Sequence, residues 1–233
     1  MISLGLVLLV ALAGALSGAA DKLPTDSLVA EAARPEVFYG NPAACDSLIG
    51  LLAGNDGEHT GELLGMLETP WAAYYAVIRR ALEKIGGPAR EAVLERLADG
   101  KMDHDSALLL TILEKLGDKS AEKILPRFLQ SAQPEVVIPA ARCLAVFGPS
   151  AESRDLLASL LADSIPQIRL AAVWALGRIC LRDSAAVDSA VLGGKIQPLL
   201  KDRYPLIRFS AGETLGIITG DTAGIPQPLI PAR

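Results

Sequence analysis

One pattern occurs twice in the sequence, and it limits the possible folds more than any other feature. The first copy spans residues 163–180 and the second spans residues 202–218. In each copy an Asp lies three residues before a Pro, an Arg lies three residues after that Pro, and an apolar segment follows. Pro is favoured in the first turn of a helix, because the first N–H groups of a helix have no intrahelical acceptor. The pattern therefore predicts a turn followed by a helix, repeated along the chain.

The apolar segment of the first copy has helical periodicity. Counted from Ile168, its apolar residues fall at i, i+3, i+4, i+7, i+8 and i+11, which is one face of a helix. A second stripe is also mostly apolar and consists of Leu170, Val173, Trp174 and Gly177. A helix with two apolar faces needs neighbours on two sides, which is typical of a middle element in a stacked array.

A shorter apolar segment precedes each Pro of the pattern. These segments are residues 125–129, 157–161 and 196–200. They predict a second helix, so each unit is a helical hairpin with a period of roughly 30–40 residues. Two earlier units carry an aliphatic residue in place of the Arg, Leu109 in one and Val137 in the other.

These units predict an all-α protein with one repeat array from residue 45 to residue 219, made of about five or six hairpins. Residues 21–44 are expected to form a short lead-in segment. Residues 220–233 contain three prolines and no helical pattern, so they form a Pro-rich tail. The tail is expected either to cover the exposed apolar side of the final repeat, since end repeats need capping, or to be disordered.

The pattern D-x-x-P-x-[VI]-R-x-x-A-x-x-A-L-G-x-I resembles HEAT repeats, in particular the short bacterial type found in phycobilisome-lyase-like proteins. This resemblance implies a right-handed α-solenoid. In that family the Asp and the Arg form a ladder of hydrogen bonds between successive repeats. The resemblance assigns this structural role to Asp163 with Arg169, and to Asp202 with Arg208. Charge-assisted hydrogen bonds to a partly buried Arg are strong enough to join repeats.

The first 20 residues are uncharged and almost wholly apolar. Small residues at the end of this segment predict a secretory signal peptide, cleaved after Ala19 or Ala20. No Lys or Arg precedes the apolar run, and about 20 apolar residues suffice to span a bilayer, so an uncleaved membrane anchor is the alternative. Either interpretation predicts export. The protein is then periplasmic or secreted, or it is anchored in the inner membrane by residues 1–20 alone.

The charge of the chain bears on its partners. The net charge is −5, with 22 Lys and Arg residues against 27 Asp and Glu residues. A dedicated nucleic-acid binder needs a strong basic face, so we expect no nucleic-acid partner.

The three cysteines, Cys45, Cys143 and Cys180, show no C-x-x-C spacing and are expected to be small buried apolar residues. In the repeat register, Cys143 and Cys180 are offset by about 7.5 Å along neighbouring helices that lie roughly 8–10 Å apart. That separation exceeds the reach of a disulfide, so these two cysteines are not expected to be bonded to each other.

The chain lacks recognisable catalytic motifs. Deoxyhypusine hydroxylase, which this chain resembles at the level of the fold, binds two irons through His-Glu pairs. Here the only histidines are His59 and His104, neither is followed by Glu, and both are expected to be exposed loop residues near helix starts. Phycobilin lyases are cytoplasmic, which conflicts with a leader peptide. No Gly-x-Ser-x-Gly, P-loop or dinucleotide fingerprint is present. We therefore expect no catalytic residues, no metal and no cofactor.

Three aromatic residues, Trp71, Tyr74 and Tyr75, cluster at the start of a predicted helix. Trp and Tyr are enriched at binding hot spots, so these residues are a candidate partner contact; the alternative is that they pack against the first repeat. The sequence as a whole favours a non-catalytic protein-interaction scaffold of the bacterial cell envelope, with a protein partner still to be identified. The alternatives are an enzyme or enzyme accessory of the lyase-like or hydroxylase-like group, and a purely structural envelope protein.

Overall fold

A computed structural model describes residues 24–54, 57–69, 71–117, 119–183 and 188–220. Throughout these ranges the protein is helical and contains no strand. The α-helices are α1 (Thr25–Ala32), α2 (Pro35–Phe38), α3 (Pro42–Ala53), α4 (Thr60–Gly65), α5 (Ala72–Ile85), α6 (Gly87–Leu97), α7 (His104–Leu116), α8 (Leu125–Phe128), α9 (Pro134–Phe147), α10 (Ala151–Ser159), α11 (Pro166–Arg182), α12 (Ser189–Ile196) and α13 (Pro205–Thr219). Short 3-10 segments lie before α8, after α10 and after α12, at Lys119–Lys123, Leu160–Ala162 and Gln197–Lys201.

The helix boundaries follow from the local sequence. Pro is the first residue of α2, α3, α9, α11 and α13, where its missing N–H breaks no helical hydrogen bond. Side chains cap other helices: Asp103 accepts a hydrogen bond from the N–H of Ser106 at 3.0 Å, and Ser150 accepts one from the N–H of Ser153 at 3.2 Å. Helix α13 ends at Thr219, and the residue that follows it is Gly220, whose φ of 70° is the left-handed conformation that glycine adopts at helix C-termini.

Two compact units divide the chain, residues 1–96 and residues 97–233. In the first unit α1 packs on α3, and α3 packs on α5. Helix α1 lies within the predicted lead-in segment, and it buries Leu28 and Val29 in the core of this unit. The predicted array from residue 45 to residue 219 stays a prediction, because each unit has its own set of internal contacts.

In the second unit the long helices α7, α9, α11 and α13 pack in series, each against the next. Shorter helices or 3-10 segments alternate with them along the chain. The predicted apolar stripe of α11 is confirmed, because all six of its residues are buried: Ile168, Ala171, Ala172, Ala175, Leu176 and Ile179. This all-α arrangement of alternating long and short helices is that of a helical-repeat solenoid.

The N-terminal apolar segment 1–20 and most of the tail, residues 221–233, lie outside the described residues. Within the residues described, no helix combines the length and the apolar character needed to cross a membrane.

Candidate protein-binding surface

Arg169 joins two successive repeats through its guanidinium group. Its Nε and Nη2 donate to the two carboxylate oxygens of Asp202, at 2.9 and 3.2 Å. Its Nη1 donates to the main-chain carbonyls of Asp163 and Ser164, at 2.8 and 3.1 Å. Both charged side chains are largely buried, with 14% of Arg169 and 6% of Asp202 exposed. The paired geometry is the strong, bidentate form of an Arg–carboxylate contact.

The other two residues assigned to the ladder act differently. Arg208 donates to the main-chain carbonyls of Asp202 and Arg203, at 2.9 and 3.1 Å. The carboxylate of Asp163 accepts a hydrogen bond from the N–H of Ile165 at 2.7 Å, which caps its own turn. Within each repeat the Arg therefore contacts the Asp through its main-chain carbonyl. The carboxylate that Arg169 binds belongs to the following repeat.

The electrostatics at Asp202 reflect this geometry. The hydrogen bond from the Arg169 guanidinium is the main cause that lowers the pKa of Asp202 below its usual value, and burial opposes it. The N–H of Tyr204 donates to the same carboxylate at 2.9 Å and lowers the pKa further. The Asp202 carboxylate is thus kept ionised by two donors, the Arg169 guanidinium of the preceding repeat and the N–H of Tyr204 in its own turn.

The aromatic residues singled out in the sequence lie at the start of α5. Trp71 precedes the helix and is 67% exposed, and its main-chain N–H donates to the Thr69 hydroxyl at 3.3 Å. Tyr74 and Tyr75 are half-buried in the first turn of the helix. The role of these three residues in partner binding stays a prediction.

The two histidines lie in different environments. His104 is exposed at the first residue of α7, as expected. For His59 the expectation of an exposed loop residue is wrong, because its Nδ1 lies 2.9 Å from the buried Thr25 hydroxyl, which also hydrogen-bonds the Glu62 carboxylate. His59 thereby helps to connect α1 to α4. Among the residues that the structure describes, no group of three or more His, Cys, Asp and Glu side chains is arranged to hold a metal ion.

All three cysteines are buried and carry free thiols, which confirms the predicted burial. The Cys143 thiol lies 3.2 Å from the carbonyl oxygen of Leu110, so it contacts the preceding long helix. Burial, with a smaller contribution from the nearby Glu114 carboxylate, raises the pKa of Cys143 well above its usual value. Such a thiol remains protonated and is a poor nucleophile.

A groove of about 590 Å³ is lined by three of the four ladder residues and lies beside the shorter elements that alternate with the long helices. Asp163, Arg169 and Asp202 line it, together with Lys195 of α12. The hydrogen-bonding groups of the first three are already engaged with one another and with the main chain. This groove therefore offers few unsatisfied groups to a ligand.

A second groove, which we call the apolar groove, crosses α9, α11 and α13 and has a volume of about 530 Å³. Its apolar lining is Ile138, Leu170, Ala171, Trp174, Leu206 and Phe209. Arg142 and Glu213 contribute charge to the lining. Two of the lining side chains lie open to solvent, Trp174 with 38% and Leu206 with 65% of its surface exposed. The apolar groove therefore presents aromatic and aliphatic surface drawn from three successive long helices.

The apolar groove continues into a smaller cleft. Trp174 also lines this cleft, of about 110 Å³, with Leu181 and Ile217. Leu181 is 57% exposed, and Arg178, Glu213 and Thr214 also line this cleft, so it forms a more polar border beside the Trp174 ring. Exposed apolar patches bordered by polar residues mark interaction sites on soluble proteins, and Trp is enriched where binding energy is concentrated.

The spacing of apolar residues in the sequence indicates part of the apolar groove. Leu170 and Trp174 lie at i and i+4, and Leu206 and Phe209 lie at i and i+3, so each pair shares a helix face. The second apolar stripe of α11 contains Leu170 and Trp174. Sequence reasoning missed the apolar groove because a stripe does not show whether the next element covers it or leaves it open.

Comparisons with known proteins agree with this architecture. Residues 121–191 match the family described as HEAT repeats. The chain is similar to the crystal structure of an engineered protein from the Northeast Structural Genomics Consortium, with 19% identity and a TM-score of 0.53, over 84% of this chain and 89% of that chain. At this identity the likeness concerns the fold alone. No curated protein matches the chain. The part of the protein that the structure describes is thus an all-α helical-repeat array, and residues 121–191 of it match the family described as HEAT repeats.

Proposed function

We propose that the protein is a non-catalytic interaction module that binds a partner protein through the apolar groove. The observation that supports this proposal most directly is the exposure of Trp174 and Leu206 in one groove across three successive repeats. Burying these side chains on binding removes apolar surface from water, at about 25 cal/mol per Å². The stacked helices beneath the groove are packed together, so little conformational entropy is lost when a partner binds.

The chemistry of the apolar groove favours an amphipathic helix as the bound segment. Such a helix presents aliphatic residues at i, i+3, i+4 and i+7, which suits a groove lined by Leu170, Trp174 and Phe209. The Arg142 guanidinium is already paired with the Glu114 carboxylate, with two contacts of 3.0 Å. The exposed Glu213 therefore carries the net negative charge of the groove and favours a basic residue beside the apolar stripe of the partner.

The test identifies the partner first and then maps its binding site. Native mass spectrometry of the protein isolated from its own cells reports a bound partner as a discrete added mass. The affinity of the purified partner is then measured for the wild type and for Trp174→Ala, which should weaken binding by at least about tenfold. Val191→Ala, on α12 and outside the apolar groove, is the matched control because Val191 is 57% exposed.

A third variant separates the two candidate surfaces. If Trp71→Ala weakens binding and Trp174→Ala does not, the aromatic cluster of α5 is the contact and the apolar groove is not. A metal or chromophore bound at fixed stoichiometry, in place of a protein, would support the enzymatic alternative instead. A bare monomer in every preparation would favour the purely structural alternative.

The finer features of the repeat belong to the same proposal. The Asp–Pro–Arg pattern supports repeats of the phycobilisome-lyase-like HEAT type, in a right-handed solenoid of about five to six hairpins.

The apolar segment 1–20 supports export to the cell envelope, either as a cleaved signal peptide or as an inner-membrane anchor. Sequencing the N-terminus of the mature protein distinguishes these two states.

A further inference from the structure

Arg208 repeats the geometry of Arg169 within its own turn. A shift of 39 residues relates Asp163 to Asp202 and Arg169 to Arg208. The two Asp residues have almost the same backbone conformation, with φ and ψ of −60° and 146° at Asp163 and of −58° and 147° at Asp202. The Nη1 of each Arg donates to two main-chain carbonyls, at 2.8 and 3.1 Å for Arg169 and at 2.9 and 3.1 Å for Arg208. The two guanidinium groups therefore make the same contacts with their own turns.

The other edge of the guanidinium group, formed by Nε and Nη2, differs between the two residues. In Arg169 this edge donates to both oxygens of the Asp202 carboxylate, at 2.9 and 3.2 Å. In Arg208 it has no acceptor among the residues that the structure describes, and we call it the free edge. Helix α13 is the last helix of those residues, so no following repeat supplies an Asp there. The group that joins two repeats at Arg169 is thus unpaired at the end of the ladder.

The ladder position of α9 shows a different arrangement. It holds Val137, whose buried side chain has no donor to satisfy. In α13 the same position holds the half-buried guanidinium group of Arg208, with the N–H groups of the free edge. These groups bond either to water or to a ligand, and hydrogen bonds between ionised partners are roughly twice as strong as neutral ones. The free edge therefore favours an anionic ligand over water.

The charge around Arg208 has the same preference. Lys201 and Arg203 are exposed cations in the turn that Arg208 contacts. The one acid of this turn, Asp202, is already paired with Arg169. An acidic group that approaches the free edge therefore meets a surface of net positive charge, although the whole chain is acidic.

We propose that the free edge of Arg208 binds an Asp or Glu side chain of a partner protein, in the bidentate geometry that Arg169 adopts with Asp202. The planar guanidinium group presents two parallel donors that match the two oxygens of a carboxylate. Its orientation is already fixed by the carbonyls of Asp202 and Arg203, so little side-chain entropy is lost on binding.

This contact is separate from the apolar groove. Leu206 and Phe209 share the face of α13 that lines the groove, whereas Arg208 lies on another face and contacts the preceding turn. The inference therefore does not rest on the proposed function. Loss of binding at Trp174 leaves the carboxylate contact untouched, and failure of the carboxylate contact leaves the apolar groove untouched.

The first test uses the full-length wild type and acetate as the carboxylate probe. Nuclear magnetic resonance follows the side-chain Nε–H signals of the arginines while acetate replaces chloride at constant ionic strength. The Arg208 signal should shift at least about threefold more than that of the exposed Arg203, because only Arg208 has its donors fixed in the bidentate orientation. The Arg169 signal should stay constant, since its edge is occupied by Asp202. Equal shifts at Arg208 and Arg203 would overturn the proposal.

The second test separates the shape of the guanidinium group from its charge. Arg208→Lys keeps the positive charge and loses the parallel donors, and Arg203→Ala removes an exposed charge from the same turn. The acetate-induced shifts of the Asp202 and Tyr204 backbone amides should disappear in Arg208→Lys and persist in Arg203→Ala. The same response in both variants would show that acetate is attracted by positive charge alone, which contradicts the proposal.

Two further measurements identify the ligand. Dimethyl phosphate carries the same single charge as acetate, and a larger shift of the Arg208 signal with dimethyl phosphate would assign the free edge to a phosphate group instead. Asp221→Asn removes the first acid that follows α13 in the sequence. If this change alone shifts the Arg208 Nε–H signal in the absence of acetate, the chain supplies its own carboxylate. Either result contradicts the proposal, and a preference for acetate with no effect of Asp221→Asn supports it.

Discussion

Two regions of the second unit join their repeats by different chemistry. Between α11 and α13 the connection is a largely buried ion pair, in which the Arg169 guanidinium meets both oxygens of the Asp202 carboxylate. A close contact supports it, because the Thr214 hydroxyl lies against Gly177 and donates to the Val173 carbonyl. In this region the connection between repeats needs both a carboxylate on one repeat and a guanidinium group on its neighbour.

The region around α7–α9 has no Arg at the ladder position, which Val137 occupies. There Arg127 of α8 donates to the main-chain carbonyls of Leu97 and Ala98 at the end of α6, the second at 3.3 Å. Its guanidinium also lies 5.0 Å from the centre of the Phe128 ring. A cation near the C-terminus of a helix satisfies carbonyls that have no intrahelical donor.

The comparison shows that a guanidinium group can join repeats with or without a carboxylate partner. The pair at Asp202 has a titratable acceptor, and breaking it leaves a buried charge without its partner. The carbonyls bound by Arg127 do not titrate, and the loss of a neutral acceptor contact costs less. We therefore expect the two regions to differ in the size and in the pH dependence of their contributions to stability.

The largest expected effect is that of Arg169→Ala. This change removes the bidentate pair and both carbonyl contacts, and it leaves the Asp202 carboxylate buried, so it should lower the free energy of unfolding by about 3 kcal/mol. Arg178→Ala, on the exposed side of the same helix, should cost less than about 0.5 kcal/mol. Urea denaturation of both variants measures the difference. Equal losses would mean that the pair does not hold the repeats together.

A smaller effect is expected at the close contact between α11 and α13. A Cβ atom on Gly177 would lie 2.6 Å from the Thr214 hydroxyl oxygen, so Gly177→Ala should destabilise the protein by about 1–2 kcal/mol despite the better helix propensity of Ala. In a Thr214→Ala background the hydroxyl is gone, and Gly177→Ala should then be neutral or stabilising. A double-mutant cycle measures this coupling. Additive effects would show that the two helices do not approach closely here.

Arg127→Ala tests the other region. It removes the donors to the carbonyls at the end of α6, and it should lower the free energy of unfolding by about 1–1.5 kcal/mol. Lys123→Ala is the matched control, since Lys123 is an exposed cation four residues earlier in the chain. Thermal unfolding ranks the two variants. A loss as large as that of Arg169→Ala would remove the distinction between the two regions.

The smallest but most selective effect concerns pH. The lowered pKa of Asp202 means that its ion pair contributes stability above the unfolded carboxyl pKa of about 3.9, and that this contribution is lost as the pH falls through the folded pKa. The deficit of Asp202→Asn relative to the wild type should therefore shrink as the pH falls below about 4 and through the lowered pKa of Asp202. The stability deficit of Arg127→Ala should change less over this range, because its carbonyl acceptors do not titrate and its charge is only the smallest of the causes that lower the pKa of the nearby Asp99 carboxyl. Denaturation curves at several pH values test both statements.

Much of the architecture could be predicted from the sequence, because it depends on local signals. The Pro at the start of α9, α11 and α13 and the 3.6-residue periodicity of the apolar residues specify these helices without reference to the rest of the chain. The repeated pattern assigned Asp202 and Arg169 to the ladder, but it paired Arg169 with Asp163 and Asp202 with Arg208, so the contact between Arg169 and the Asp202 carboxylate was not predicted. The boundaries of the first unit were harder, since α1 has little sequence similarity to the later repeats.

The remaining features depend on contacts between segments that are distant in sequence. Arg127 binds main-chain carbonyls, which every residue possesses, so its partners leave no mark in the sequence. His59 is held by Thr25, 34 residues away, and the spacing of the two follows no motif. The apolar groove could be predicted only if it were known that α9, α11 and α13 are neighbours and that they leave Trp174 uncovered.

The three buried cysteines are natural probes of local unfolding in this protein. Cys45 lies in the first unit, Cys143 in α9 and Cys180 in α11, so each thiol reports on a different part of the chain. Burial raises the pKa of all three thiols, so each reacts with an alkylating reagent only when its surroundings open. The order in which the three are alkylated thus records the order in which these segments open, with no engineered probe.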